Sequence, residues 1–399
     1  MGETESTELR VSDQFAELGL RSTSTSFCYD ATEGWPEPFP DLDSERTLLV
    51  VFAADGFIAN QQPLNDLRRA FPLSTIVGCG AAQTWHNGEM ESDVITVGVI
   101  KFHSTELRLV TSDLTLITES RSAGEELGRQ LADPGLKGVL IYSKGVDVAG
   151  TELVRGLQAN LAAGIPISGG LASNRLEGQS WVYANGSVLT DAVCAVGLIG
   201  DKVELVGAAG GGWAPTSEQY VATKSSGLKL YEIDDRPAYD VLAELGLTDD
   251  VEEAPWSPNI SARSIALKLD GVDVVRSIVS SSAEEGWIEV AGTIDEGMRI
   301  QFMKSSVDEL LDGVDEAAHG IRMRTVGLTE ESLCVTVGCM GRIAILGERA
   351  SEEAAGLRDA IGVEIEQIGM CSFGEILTTS SGHPQMHNMT LNVAVIREH

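Results

Sequence analysis

The sequence predicts an α/β (mixed α+β) fold, in which repeated strand–helix–strand–strand units form mixed sheets flanked by helices. Three observations predict it. Strand-like apolar runs alternate with segments whose apolar residues recur every three or four positions, which is typical of helices packed on sheets. Three of the runs end in a small residue, any residue and glycine, and three others end in a glycine-rich turn. Because these landmarks recur in one order, we interpret them as a unit that occurs three times.

The elements of the unit can be assigned in chain order. Its first strand lies in the runs LLVVFAADG (48–56), GVLIYSKG (138–145) and LCVTVGCMG (333–341). Its helix lies in PLNDLRRAF, TELVRGLQANLAAG and SEEAAGLRDAIG. Its second strand runs into the turns TIVGCGAAQ (75–83), IPISGGLASN (165–174) and QIGMCSFGE (367–375). After a variable hairpin, its last strand reads VITVGVI (94–100), VCAVGLI (193–199) and TLNVAVI (390–396).

Different material separates the second and third units. GAAGGGWAP (207–215) is typical of a glycine-rich turn or linker. We then predict a strand, a turn, and a helix from near Pro237 to Gly246, followed by four strands in SARSIALKL, VVRSIVSS, GWIEVAGTI and MRIQFM. A chain of 399 residues is too long for one ordinary core. We therefore predict a loosely attached, polar and acidic leader (1–45) and two domains, 46–217 and 218–399.

Composition restricts the location and the partners. Hydrophobic residues make up 43% and charged residues 22%, as in globular proteins. No apolar run reaches the roughly 18 residues of a membrane span, and the acidic N-terminus does not resemble a signal peptide, so we expect a cytoplasmic protein without membrane insertion. The net charge of −32 would repel phosphate backbones, which disfavours nucleic-acid binding. Such a charge is typical of a salt-loving host or of an ordinary acidic bacterial protein.

Metal and cofactor motifs are weak. The six cysteines are scattered and form no C-x-x-C pair, so we expect neither a structural zinc site nor a disulfide framework. His383 and His387 are four residues apart, but Pro384 places them in a loop, where that spacing does not bring side chains together. We therefore predict no metal site. Ligation of haem iron by either histidine is an alternative.

One polar side chain follows each second strand. Aligning the strand ends places Cys79, Gly170 and Cys371 at one position and, four residues later, Gln83, Asn174 and Glu375. Small residues let a backbone approach a ligand closely, and a polar group beyond them can fix the orientation of the ligand. The competing interpretation is that these are three ordinary turns whose side chains bond to their own backbone.

A catalytic interpretation rests on Cys371, with His387 as base and Glu375 or Asn388 as the group that orients it. The equivalent positions of the other units hold a cysteine and a glycine, as a small strand residue would require. We therefore predict a protein without catalytic residues, with a Cys/Glu–His hydrolase as the less favoured alternative.

Arg342 follows a strand-end glycine in CMGR (339–342). An arginine at such a point can form a bidentate clamp on a carboxylate. An ordinary surface ion pair with Glu348 or Glu352 explains the residue equally well.

These motifs resemble those of FIST-domain proteins over about residues 46–399. The motifs GCMGR, GMCSFGEI and HNMTLNV, together with YEIDDRPAYDVLAEL, resemble the C-terminal half of that family. The N-terminal half is matched by TLLVVFAADG, IVGCGAA and PISGGLAS. The first turn departs from the family pattern, because CGAAQT stands where relatives read like Cys-Ser-Thr-Ala-Gly-Glu and Gln83 replaces the carboxylate.

The resemblance implies a sensory, small-ligand-binding module of prokaryotic signal transduction, for which amino-acid-like ligands are proposed. Some stand-alone members look like haem-based nitric-oxide sensors that work with histidine kinases. Since no kinase, cyclase or receiver segment is recognisable here, the resemblance implies a stand-alone sensor that acts on a separate partner.

We therefore predict a ligand pocket where the three turns converge, lined by Gln83, Asn174, Arg342, Glu375, His387 and Asn388. Arg342 would bind a carboxylate and Glu375 an ammonium group, which suits an amino-acid-like zwitterion. Binding would shift an equilibrium between two conformations and so signal to a histidine kinase or cyclase.

Overall fold

The computed structural model describes residues 22–175, 179–248, 263–269, 271–325 and 327–399. Its strands are β1 Thr23–Tyr29, β2 Thr47–Ala54, β3 Thr75–Ala81, β4 Thr84–His86, β5 Glu89–Glu91, β6 Ile95–Lys101, β7 Glu106–Asp113, β8 Leu136–Ser143, β9 Ile167–Leu171, β10 Val182–Ala184, β11 Ser187–Leu189, β12 Ala192–Ile199, β13 Val203–Gly210, β14 Ala214–Ser226, β15 Lys229–Ile233, β16 Arg236–Pro237, β17 Arg263–Leu269, β18 Val272–Ser282, β19 Trp287–Val290, β20 Arg299–Lys304, β21 Leu333–Cys339, β22 Glu366–Ser372, β23 Gly374–Thr378, β24 Pro384–His387 and β25 Leu391–Glu398. Its α-helices are α1 Gln62–Ala70, α2 Ser120–Leu131, α3 Gly150–Ala159, α4 Ala238–Glu244, α5 Val307–Arg324, α6 Met340–Leu346 and α7 Ala350–Ile361.

Three parts of the chain share one order of elements, namely strand, helix, strand, hairpin and strand. The first unit is β2–α1–β3–β4–β5–β6, the second is β8–α3–β9–β10–β11–β12, and the third is β21–α6–α7–β22–β23–β24–β25. In each unit the first two strands are parallel, and the last strand pairs antiparallel with the first. The predicted fold class, mixed sheets flanked by helices, is confirmed.

Each unit gives its hairpin to the sheet of another unit. Strand β4 of the first unit pairs with β22 of the third, β10 of the second with β3 of the first, and β23 of the third with β9 of the second. Strands β1, β7 and β13 form the opposite edges. The resulting six-stranded sheets are β1-β6-β2-β3-β10-β11, β7-β12-β8-β9-β23-β24 and β13-β25-β21-β22-β4-β5. Because the exchange runs around a closed ring, no unit completes its sheet alone.

The three sheets enclose one apolar core. The aromatic rings of Phe52 and Tyr142, from the first and second sheets, meet edge to face with centroids 5.5 Å apart. Val337 and Met370 enter the same core from the third sheet. Helices cover the outer faces: α1 on the first sheet, α2 and α3 on the second, and α5 and α7 on the third. Burial of each large apolar side chain stabilises this arrangement by about 1.5–3 kcal/mol.

The chain between the second and third units forms an antiparallel barrel. Its strands follow the order β14-β20-β17-β18-β19-β15, and β15 returns to pair with β14. Helix α4 packs Ala238, Val241 and Leu242 into the barrel core. The predicted strand, turn, helix and four further strands all occur in this region, although residues 261 and 262 of the predicted SARSIALKL strand lie outside the described residues.

The prediction of a loosely attached leader is wrong for residues 22–45. Strand β1 pairs along its whole length with β6. The ring of Phe27 packs edge to face against Trp35 and Phe39 at centroid distances of 5.7 and 5.8 Å. These rings join the apolar cluster beneath α1, so the leader supplies surface that the first sheet needs to bury. Residues 1–21 of the predicted leader lie outside the described residues.

The close approach of β2 and β3 predicts a strong effect of substitution at Gly78. A Cβ at this position would lie 1.7 Å from the carbonyl oxygen of Val51, the residue opposite it on β2. We expect Gly78→Ala to lower the free energy of unfolding by about 3 kcal/mol or more, because backbone atoms must move. At Gly56, where a Cβ meets no atom within 4 Å, Gly56→Ala is the control. Equal urea-unfolding midpoints for the two variants would contradict this strand packing.

Candidate functional site

The three turns that follow β3, β9 and β22 lie next to one another. Ser173, in the second turn, is fully buried and connects all three. Its backbone N–H donates to the carbonyl of Gly80 at 3.2 Å, and its hydroxyl accepts a hydrogen bond from the N–H of Ala82 at 2.9 Å. The same hydroxyl donates to the carbonyl of Cys371. The N–H of Cys371 in turn donates to the carbonyl of Gln83 at 3.0 Å. The strand-end turns of the three units therefore meet in space.

These turns open onto a cleft of about 720 Å³. Its walls come from all three units and, through Ala291, from the loop after β19 of the barrel. The larger apolar side chains that form the walls are Val146, Val148, Leu171, Met340, Ile343, Phe373 and Met386. A mostly apolar cleft of this volume with a few polar groups is typical of a small-molecule site.

The polar groups of the cleft come mainly from the first two turns. Gln83 and Asn174, both predicted from the sequence, line it together. Arg175 lies beside them, with its guanidinium paired to the carboxylate of Asp93 at 2.8 Å. The structure thus brings two of the six predicted residues into one cleft and adds an arginine to them.

Glu375 lies outside the cleft walls. It stands in β23 opposite Gly170, and its side chain is fully buried. One carboxyl oxygen accepts hydrogen bonds from the N–H and the hydroxyl of Thr390, at 3.1 and 3.0 Å. The other carboxyl oxygen has no hydrogen-bond partner among the described residues. Burial raises the pKa of Glu375 to about 8, against the opposing effect of the Thr390 bonds. A mostly protonated carboxyl does not suit the predicted role of binding an ammonium group.

His387 and Asn388 are buried as well. His387 stands opposite Glu375 in the β23–β24 hairpin, and neither of its ring nitrogens has a partner in the described parts of the chain. Burial, with a smaller effect of the nearby Arg276 guanidinium, lowers its pKa to about 3. Asn388 donates to the carbonyl of Phe373, a residue of the cleft wall, at 3.4 Å but does not itself line the cleft. His383, the other haem-ligand candidate, is exposed and lies 3.5 Å from the amide of Gln158.

His387 lines a second cavity, of about 400 Å³. The cavity lies between the glycine-rich stretch at 208–213 and β18 of the barrel, and Thr390 also lines it. This cavity receives no residue from the first unit among those that line it. The larger cleft, where all three units contribute, is therefore the better candidate for the ligand site.

The surface interpretation of Arg342 is wrong, and its position does not suit the predicted carboxylate clamp. Arg342 and Glu353 are both fully buried and form an ion pair at 2.6 Å, in place of the expected Glu348 or Glu352. The other guanidinium nitrogens donate to the carbonyls of Gly211 and Leu310, each at 2.8 Å. With these donors occupied, Arg342 holds α6 against α5 and the glycine-rich stretch.

The predicted alignment of Cys371 with Cys79 is one residue out of register. The residue that points into the central core beside Cys79 is Met370, with the two sulfur atoms 3.1 Å apart. Cys371 points to the opposite face of the sheet, into the cluster beneath α7. The equivalent of Gln83 in the third unit is therefore Gly374, the first residue of β23, and Glu375 is the second residue of that strand.

The predicted Cys–His pair is not formed. The thiol of Cys371 lies 3.9 Å from the side-chain oxygen of Gln83, and the ring nitrogens of His387 have no partner in the described chain. Burial raises the pKa of the Cys371 thiol, which opposes formation of the reactive thiolate. This geometry gives no support to thiol catalysis.

Two domain families match the chain. The FIST N domain matches residues 47–236, and the FIST C domain matches residues 238–378. The chain belongs to the FIST-domain family. Two uncharacterized proteins of Mycobacterium tuberculosis, from strains CDC 1551 / Oshkosh and ATCC 25618 / H37Rv, are each 24% identical to it over 253 residues. The aligned part is 61% of this chain and 63% of each relative, so the chain spans less than two thirds of their length.

Membership confirms the resemblance seen in the motifs. FIST domains are sensory domains of signal transduction that bind small ligands, and they are not generally catalytic. None of the helices in the described part of this FIST protein is long and apolar enough to cross a membrane. Within the same residues, no group of three or more His, Cys, Asp or Glu side chains is placed to hold a metal ion.

Sequence reasoning missed most of the cleft walls. Four of the missed residues lie within or directly after the strand-end landmarks, namely Val146, Arg175, Met340 and Phe373, and a fifth, Met386, lies in the hairpin strand β24. Met340 lies within LCVTVGCMG and Phe373 within QIGMCSFGE, so their positions beside these glycines were the available signal. All six predicted site residues are polar or charged, whereas most of the cleft wall is apolar.

The buried carboxyl of Glu375 predicts a pH dependence of stability. Its pKa is about 8 in the folded protein and about 4.3 in an unfolded chain. The folded state therefore binds more protons between these values, so the contribution of this group is fully present below about pH 4 and is lost as the pH rises through 8. We expect wild type to lose a few kcal/mol of stability relative to Glu375→Gln between about pH 5 and about pH 8.

Urea unfolding of both proteins at several pH values measures this difference. Glu330→Gln, at an exposed glutamate, is the control and should follow wild type throughout. A stability difference between wild type and Glu375→Gln that does not change with pH would contradict the raised pKa.

Proposed function

We propose that this FIST protein is a sensory protein that binds a small, amino-acid-like molecule in the 720 Å³ cleft and signals to a separate partner such as a histidine kinase or cyclase. One observation carries the proposal. The strand-end turns of all three units are hydrogen-bonded to one another through Ser173 and open onto this single cleft. A ligand bound there contacts all three units at once.

The lining of the cleft supports a ligand with an apolar body and a polar end. Met340, Ile343 and Phe373 offer an apolar wall, and Gln83 and Asn174 stand on the turns at the junction. Amide side chains can both donate and accept hydrogen bonds, so they can orient a polar group without requiring a charge. An apolar amino acid or a closely related molecule has an apolar body and a polar end and fits the volume of the cleft.

The origin of the walls supports a signalling mechanism. Besides the three units, the barrel contributes Ala291 to the cleft, and an exposed ion pair joins Arg155 of α3 to Asp295 of the barrel loop near it. A ligand that contacts both the three units and the barrel favours the conformation in which the units and the barrel are closest. Such differential binding shifts a conformational equilibrium, and a partner can recognise the favoured state.

Filling the cleft should abolish ligand retention. Val146 lines the cleft mouth and is 50% exposed, so tryptophan can replace it without disturbing the core. We expect wild type to release a small molecule on denaturation and Val146→Trp to release at least about tenfold less, because the indole occupies ligand space. Mass spectrometry of the released molecules makes the measurement, and the absorption spectrum of the same sample reports any haem.

Val363→Trp is the matched control, because Val363 is 63% exposed and does not line the cleft. It should retain the molecule at the wild-type level. Equal release from wild type and Val146→Trp would place the binding site elsewhere and contradict the proposal.

A further inference from the structure

Arg276 of β18 is a buried cation without a carboxylate partner. Its side chain is 1% exposed. One terminal nitrogen donates to the carbonyls of Val275 and Met386, and the other lies 3.4 Å from the hydroxyl of Thr151. All of these acceptors are uncharged. The N–H at Nε has no hydrogen-bond partner among the described residues.

The neighbouring charges do not neutralise Arg276. Asp295 is already paired with Arg155, whose own positive charge opposes that of Arg276. Glu375 is the other nearby carboxyl group, and burial keeps it mostly protonated at neutral pH. His387 is uncharged because its pKa is about 3. Burial of the guanidinium is severe enough to lower the pKa of Arg276 to about 10. An isolated charge in such surroundings is strongly unfavourable unless an opposite charge joins it.

The unpartnered N–H lies directly behind the wall of the cleft. A Cβ built on Gly292 would be 2.6 Å from Nε of Arg276 and 2.9 Å from the terminal methyl of Met386. Met386 and Ala291, the neighbour of Gly292, both line the cleft. The thioether chain of Met386 and this short glycine-containing segment therefore lie beside both Nε and the cleft. Methionine is the most adaptable of the apolar side chains, so its rotation can open this path.

We infer that Arg276 is the anion-binding residue of the cleft and that the ligand carries a carboxylate, which pairs with the Nε–H of Arg276 once Met386 moves aside. The inference rests on the proposed function and specifies the charge of the ligand. The fold has already removed the guanidinium from water, so a carboxylate gains a preorganised partner. Its neutral amide gains none and leaves the buried charge uncompensated.

Arg175 is the competing cation. It lines the same cleft, but it is exposed and already paired with Asp93. Exposed ion pairs contribute little to binding or stability, so exchange of Asp93 for a ligand carboxylate gives little selectivity. The two arginines therefore predict different outcomes when each is replaced.

A matched pair of probes tests the inference. We would titrate the full chain with 4-methylpentanoate and with 4-methylpentanamide, which share an apolar body and differ in charge, in a buffer low in chloride and at neutral pH. Isothermal titration calorimetry should show that wild type binds the carboxylate at least about tenfold more tightly than the amide. Arg276→Met should reduce this ratio to about one and still bind the amide, whereas Arg175→Met should keep the wild-type ratio.

Each result supports or contradicts the inference. Equal affinities of wild type for the two probes, or a preference that survives in Arg276→Met, would overturn the role of Arg276 and leave the cleft as the ligand site. Loss of the preference in Arg175→Met alone would assign the anion to Arg175 instead. Failure of both probes to bind wild type would contradict the proposed cleft and the inference together. If Arg276→Met does not fold, Arg276→Gln gives the same comparison, because it keeps a donor and removes the charge.

Discussion

The structure depends on the exchange of hairpins among the three units. Each unit leaves its own sheet after its second strand and adds a hairpin to the next sheet, through the pairs β4–β22, β10–β3 and β23–β9. The turn between second strand and hairpin must therefore cross from one sheet to another. Since the exchange closes into a ring, the three crossing turns arrive at one place, and the cleft there is a product of the topology. Ser173 fixes this junction with hydrogen bonds to both other turns.

The two buried arginines differ in whether the buried charge has a partner, and this difference separates a structural residue from a candidate for ligand binding. Arg342 has a carboxylate at 2.6 Å and carbonyl acceptors for its remaining nitrogens, and so is fully used in joining α6 to its neighbours. Arg276 is equally buried, but its Nε–H is unpartnered and no carboxylate in the described residues forms an ion pair with it. A charge that the fold leaves uncompensated next to a ligand-sized cleft needs an explanation, and a ligand anion supplies one. Because the charge and the donors of Arg342 already have partners within the protein, Arg342 does not suit a role in ligand binding.

The elements of the fold were predictable from the sequence, but their long-range pairing was not. Apolar runs and helix periodicity gave the order of strands and helices in each unit, because those signals are local. The partner of each hairpin depends on contacts between residues far apart in the chain, as between Met370 and Thr84, which no local pattern encodes. The aromatic residues Phe27, Trp35 and Phe39 are local signals too, but surrounding polar residues masked their role in closing the first sheet.

The candidate site was likewise predictable where the signal is local and not where it depends on the surrounding structure. Gln83 and Asn174 follow glycine turns and were found because their position in the unit recurs. Glu375 and Cys371 were misplaced because strand side chains alternate between faces, so an error of one residue reverses the side to which they point. Arg276 gave no signal at all, since an arginine in the strand-like run VVRSIVSS resembles any exposed strand residue until the surrounding structure is known.

Hydrogen–deuterium exchange with and without the compound released from the native protein locates the ligand site. If one ligand contacts the turns of all three units, at residues 80–84, 171–175 and 371–374, bound ligand should slow amide exchange in all three segments together, by several-fold or more. Slower exchange in only one of these segments, or in the barrel alone, would contradict a shared site at the junction of the turns.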